Sequence, residues 1–150
     1  MSKTPDLSQF PFFSNITGER LDEIAALSLT QTYAGGDYVF QNDEPARNLY
    51  GLISGDISLS ILFKEEIVTR DIRHEEYIST QVEILEKPVV IESVRAGDIF
   101  GWSALVEPER MTATARCEID CEIVLIPAAG LKRLFGKDPE LGYLLSARIS

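Results

Sequence analysis

The stretch from Ala96 to Ala115 constrains the fold of this chain more than any other. Ala96-Gly97-Asp98 is a turn signal, and Ile99-Phe100 is a short apolar run that ends on Gly101. Trp102 to Leu105 can form one or two helical turns, and a polar loop holding Pro108 follows. Thr112-Ala113-Thr114-Ala115 then reads as the start of a strand. Strand, glycine, short helix, loop and strand in this order aim free backbone N–H groups at an anion. Arg110 lies beside them and offers a charged fork of the kind that grips phosphate. The plainer reading of Gly101, Trp102, Ser103 and Ala104 is a short helix that plugs the mouth of a barrel.

The rest of the chain is consistent with a barrel. At 150 residues it is long enough for one domain with a sizeable core. Thr17 is placed to cap a helix from Gly18 to about Leu27, with Leu21, Ile24 and Ala25 on one face and Ile16 stapling its start. From Thr30 the period changes to strands and turns. Tyr38-Val39-Phe40 and Leu49 to Ile53 are short strands, and Ser54-Gly55-Asp56 is a hairpin turn. Ile57, Leu59, Ile61 and Phe63 alternate with smaller or polar residues, as in a strand with one buried face. Asn42, in a turn, is suited to the left-handed conformation. Residues 64 to 87 are densely charged and read as a long hairpin extension, with a short helix as the alternative. Lys87 to Val94 returns to strand, and two further strands run from Met111 to Cys117 and from Cys121 to Ile126. Pro127 opens one helix that ends near Gly136. Asp138 caps another that runs from Pro139 to Arg148. Strands followed by helices suit a small Greek-key or double-wound β-barrel with helices at both ends of the chain.

Charge and composition exclude several functions. Acidic residues outnumber basic ones 24 to 14, a net charge of −10, which repels phosphate backbones and argues against nucleic-acid binding by this chain alone. No run is long enough to span a membrane and the N-terminus lacks the apolar core of a signal peptide, so the expected location is the cytoplasm. Cys117 and Cys121 have no further thiolates or histidines clustered with them and read as buried small hydrophobes. His74 is the one histidine, which counts against a metal-dependent cupin-like enzyme. Glu107 and Glu109 flank Pro108 on a loop and read as solvent-exposed. No nucleophile elbow, P-loop or dinucleotide fingerprint occurs. No catalysis and no cofactor are expected.

Gly97-Asp98-Ile99-Phe100-Gly101 and Ala104-Leu105, followed by Thr112-Ala113-Thr114, resemble the phosphate-binding cassette of the cyclic-nucleotide-binding domain found in Crp/Fnr-type regulators. The succession Ser54-Gly55-Asp56-Ile57 and the Leu49-Tyr50 pair also follow that family, and the likeness extends from about Phe12 to Ser146. It implies a mainly β fold, a double-stranded β-helix or jelly-roll barrel with flanking helices. On that plan residues 1–28 are a helical segment, 29–126 the barrel with its cassette at 97–115, and 127–150 the C-terminal helices. The family continues into a long helix where this sequence stops, so the chain is read as a stand-alone sensor domain or a piece of a longer protein.

Two positions depart from the family's cassette. Trp102 stands where the family has a ribose-binding glutamate, and indole cannot accept a hydrogen bond. Met111 stands at the family arginine, with Arg110 one residue early. The candidate ligand residues are Gly101, Trp102, Ser103, Ala104, Arg110, Met111, Thr112 and Thr114. The expectation is a non-catalytic regulatory domain with weak or lost cyclic nucleotide binding, Trp102 acting as an apolar lid or as a stacking surface for a base. The alternative is a genuine cyclic AMP- or GMP-binding domain that uses Arg110, Thr112 and backbone amides. A homodimer or partner contact is expected on the C-terminal helix through Leu141, Leu144 and Leu145.

Overall fold

A computed structural model describes residues 5–16, 18–74, 77–106 and 109–149, with backbone alone over 67–74 and 77–81. Among them are eight strands: β1 Leu29–Tyr33, β2 Tyr38–Phe40, β3 Asn48–Ser54, β4 Asp56–His74, β5 Tyr77–Arg95, β6 Ile99–Phe100, β7 Thr114–Cys117 and β8 Cys121–Pro127. Three α-helices flank them: α1 Glu19–Leu27, α2 Ala128–Lys137 and α3 Pro139–Ser146. The strands form two four-stranded antiparallel sheets, ordered β1-β8-β3-β6 and β2-β7-β4-β5. This is the expected mainly β jelly roll with helices at its ends. Among the described residues no helix is long and apolar enough to cross a membrane.

Strand alternation divides the interior into two cores. Leu52, Ile123, Ile57, Ala115 and Cys117 point between the sheets, where Phe40, Tyr50, Phe100 and Met111 complete one cluster. The other face of β8 carries Val124 and Ile126, which pack with Leu49 against the helices. β8 is thus buried on both faces, which is why Cys121 to Ile126 reads as an almost unbroken apolar run. The second cluster also takes Phe10, Phe13 and Ile16 from the N-terminal segment, Ile24 of α1, Leu131 of α2, and Leu141 and Leu145 of α3.

That packing corrects one expectation. Leu141 and Leu145 are 0% and 1% exposed, so the helix face assigned to a dimer is used inside the chain. The three leucines lie on the stripe that α3 turns to its own core, and Tyr143 on the opposite side is exposed. Asp138 caps α3 as expected: its Oδ1 accepts from Leu141 N at 3.2 Å, and its Oδ2 pairs with Arg20 Nε at 2.8 Å. The proposed cap of α1, Thr17, lies outside the described residues, and the cap position is held by Gly18.

The charged segment is a hairpin and not a helix. β4 and β5 are each 19 residues long and pair from Asp56↔Arg95 out to His74↔Tyr77. β4 also pairs with β7, but only from Ile57 to Ser60, so the outer part of the hairpin is a two-stranded ribbon. β7 starts at Thr114 and not at Met111, because Met111 spends both backbone groups on Asp43 and Glu44 of the preceding loop instead of a strand. In that loop the left-handed residue is Asp43, with φ of 71°, and not Asn42.

Candidate functional site

The cassette begins where β6 ends. Gly101 sits at φ 80°, ψ 37°, and a Cβ there would lie 2.6 Å from Tyr50 Cδ2, so both the turn and the close approach require glycine. Beneath it, Phe40, Tyr50 and Phe100 stack as a trio with centroids 5.4–6.1 Å apart. Burial holds the Tyr50 hydroxyl above its usual pKa, so the ring stays neutral. Trp102–Leu105 is a single 3-10 turn, with Ala104 fully buried as its anchor. The first N–H groups of such a turn have no partner within it.

Beside this turn lies a cavity of about 340 Å3 lined by Phe40, Leu59, Ile91, Glu92, Gly101, Trp102, Ser103, Val106, Met111, Thr112, Ala113 and Ile149. Five of the sequence-predicted residues therefore come together: Gly101, Trp102, Ser103, Met111 and Thr112. Ala104 lies behind the wall, in the core. The lining contains one carboxylate, Glu92, and among the described residues no cationic side chain. Ile149, Ile91 and Glu92 were not legible as site residues. Ile149 arrives from the C-terminal end, far from the cassette in sequence, and Ile91 and Glu92 from the end of β5 just before it, where the bulge opposite Leu59 and Ser60 turns them to the cavity.

Arg110 and Thr114 lie elsewhere. Arg110 Nη1 donates to the backbone oxygen of Asp43 at 2.6 Å and stands 3.7 Å from its carboxylate. A short bridge between Pro45 and Arg110 fixes the backbone there, helped by Met111 N to Glu44 O at 2.9 Å and Ala46 N to Glu109 O at 2.8 Å. Arg110 thus locks two loops together with its guanidinium 54% exposed; as the chain stands it is not a cavity residue. Thr114 Oγ1 accepts from Asn42 N at 2.9 Å, a second tie to the same loop. Glu109 is ion-paired with Lys132 of α2, while Glu107 and Pro108 lie outside the described residues.

The indole of Trp102 forms one wall of the cavity, and its ring packs against Phe12 with centroids 4.8 Å apart. It lies against the apolar side chains of the helical core, in the manner of a partly buried aromatic. Among the described residues no three of His, Cys, Asp or Glu converge as metal ligands, and the His74 side chain is not among those described.

Comparison with known proteins gives a consistent result. The family model described as cyclic nucleotide-binding domain matches residues 30–138. No curated protein matches the chain by sequence. Among solved structures, a Geobacter metallireducens protein provisionally named for cyclic nucleotide binding is 25% identical, with a TM-score of 0.74 over 99% of this chain and 92% of that one. The sensor domain of the transcriptional regulator DNR from Pseudomonas aeruginosa superposes with a TM-score of 0.69 at 21% identity, covering 95% of this chain and 83% of its own. The N-terminal domain of a transcriptional regulator from Streptomyces coelicolor gives 0.68 at 19% identity, covering 96% and 89%. At those identities the last two share the fold.

Proposed function

Since the chain belongs to the cyclic nucleotide-binding domain family, we propose that it is a non-catalytic sensor domain in which the cassette keeps its fold but has weakened or lost its hold on cyclic nucleotides. Residues 1–150 act on this reading as one domain. The observation that carries it is the cavity wall: Glu92 is its charged side chain, and Arg110 is turned to Asp43. A cyclic phosphate placed there meets a carboxylate and no cation. Trp102 offers a ribose hydroxyl no acceptor, a loss of roughly 1.5–3 kcal/mol where a charged partner would stand. Together these cost at least tenfold to a hundredfold in affinity.

The remaining wall is apolar and aromatic, from Phe40, Leu59, Ile91, Trp102, Val106, Met111 and Ile149, with Ser103 and Thr112 as the polar points. Such a lining favours a small, mostly apolar, uncharged ligand. The regulatory and transcription-regulator domains among the structural neighbours support a sensing role over a catalytic one. Isothermal titration calorimetry with cyclic AMP and cyclic GMP tests the reading. The expected result is a dissociation constant weaker than about 100 μM, or no heat. Low-micromolar binding of either nucleotide would overturn it.

A further inference from the structure

We propose that the inward face of the β4–β5 ribbon is an interface with a second copy of this chain. The ribbon runs about 45 Å beyond Ser60, where β4 last touches β7. A two-stranded ribbon of that kind is marginal in water unless another surface covers it. Its faces follow from the register. Ile57↔Val94 and Leu59↔Glu92 face the barrel interior; after the bulge at Ile91 the same face continues as Ile61↔Val89, Phe63↔Lys87 and Glu65↔Leu85. Period-2 alternation therefore carries a core-facing stripe straight out into solvent. Phe63 is 54% exposed and Leu85 is 48% exposed on that stripe. The opposite face also exposes Leu62, Ile84 and Val90, but its facing charges, Lys64 and Glu86, stand 3.8 Å apart and satisfy each other within one chain.

The pattern on this face is self-complementary. Two successive rungs, Phe63↔Lys87 and Glu65↔Leu85, make a square with the apolar residues at one pair of diagonal corners and the charges at the other. Rotation by 180° about the Phe63–Leu85 diagonal lays the square on a copy of itself. Phe63 then meets Phe63, Leu85 meets Leu85, and Lys87 of each copy lies over Glu65 of the other. The ribbons cross at close to a right angle, an established way for sheets to pack. A foreign partner would need its own matching square, whereas a two-fold supplies it from one sequence. The root of the face, Leu59, Ile91 and Glu92, also lines the cassette cavity, so the partner copy sits at the rim of that cavity.

Sedimentation velocity of the full chain across about 1–200 μM tests the proposal. The expected result is a reversible dimer. Lys87→Glu and Glu65→Lys each weaken it about tenfold or more, and the double exchange restores it to within a few-fold. Phe63→Ser weakens it also. These side chains are exposed, so at concentrations low enough to keep the parent monomeric the circular dichroism and thermal midpoint of each variant match the parent's. A strict monomer at 200 μM would overturn the proposal. So would a dimer that all four variants leave unchanged, or a double exchange that fails to recover, since either would place the contact on another surface.

Discussion

Phe12 and Trp102 meet ring to ring, 4.8 Å between centroids and tilted by 59°, and this contact fastens the N-terminal segment to the cassette. The C-terminal end joins the same assembly: Arg148 Nη1 donates to Phe12 O at 2.6 Å, and Ile149 lines the cavity beside Trp102. Phe12→Ala is expected to lower stability by about 2 kcal/mol, from lost burial and lost aromatic contact. Trp102→Phe keeps an apolar ring in place and is expected to cost less than half as much. Urea denaturation of both variants measures the difference.

Trp102→Glu combined with Met111→Arg supplies the two side chains that the resemblance to the family's cassette implies at these positions. Met111 is 3% exposed, so the free double variant is expected to be less stable than the parent. Cyclic AMP should return that stability. A ligand at a hundred times its dissociation constant adds about 2.7 kcal/mol, which raises the midpoint of a domain this size by roughly 5–10 °C. Thermal unfolding with and without about 1 mM cyclic AMP reads the effect, with the parent protein shifting by well under that amount or not at all. Arg110→Ala, by contrast, is expected to cost about 0.5–1 kcal/mol through the lost tie to Asp43 and to leave the nucleotide response unchanged.

Gly55 and Gly136 are expected to respond to alanine in opposite directions. Gly55 has φ of 116°, and a Cβ there would lie 2.5 Å from Cys121 Sγ and 2.9 Å from Asp120 O. Gly55→Ala should cost roughly 2–4 kcal/mol from strain and overpacking. Gly136 is in the last turn of α2 with nothing within 4 Å of its Cβ position, so Gly136→Ala should add about 0.5–1 kcal/mol. Chemical denaturation of the two variants settles both signs.

Burial pushes the Cys117 thiol up to about 12, aided by the neighbouring Cys121 thiol. The folded thiol holds its proton more tightly than the unfolded one, whose pKa is near 9.0. Its contribution to stability is therefore complete below pH 9 and declines as pH rises from about 9 towards about 12. Denaturation midpoints measured at pH 8 and pH 10.5 should fall accordingly. The same protection predicts that a thiol reagent titrates two cysteines only after unfolding.

Local features carried most of the fold in the sequence. Gly97 and Gly101 both adopt positive φ at the positions where the turn and the cassette demanded it, and Gly55 does so in its hairpin. The alternation of Ile57, Leu59, Ile61 and Phe63 correctly marked one face of β4. Features decided by distant pairs could not be read. Arg110 turns away from the cavity because a loop 67 residues earlier presents a carbonyl to it. Thr114 offers its hydroxyl to Asn42 for the same reason. The leucines of α3 looked like a free stripe because the core they join also draws on Phe10 and Phe13, at the opposite end of the chain.

The pairing of β8 has a consequence for the order in which this chain can be assembled. β8 lies between β1 and β3, so residues 29–33 find their hydrogen-bond partners only at 121–125. Beyond Ser60 the β4–β5 ribbon closes on near neighbours and needs nothing downstream of Val90. During synthesis the ribbon therefore zips first, while one whole sheet waits with an open edge until its central strand emerges. Insertion of β8 completes that sheet and gives α2 and α3 the face they pack on, and slow emergence of the strand leaves β1 and β3 exposed to foreign pairing.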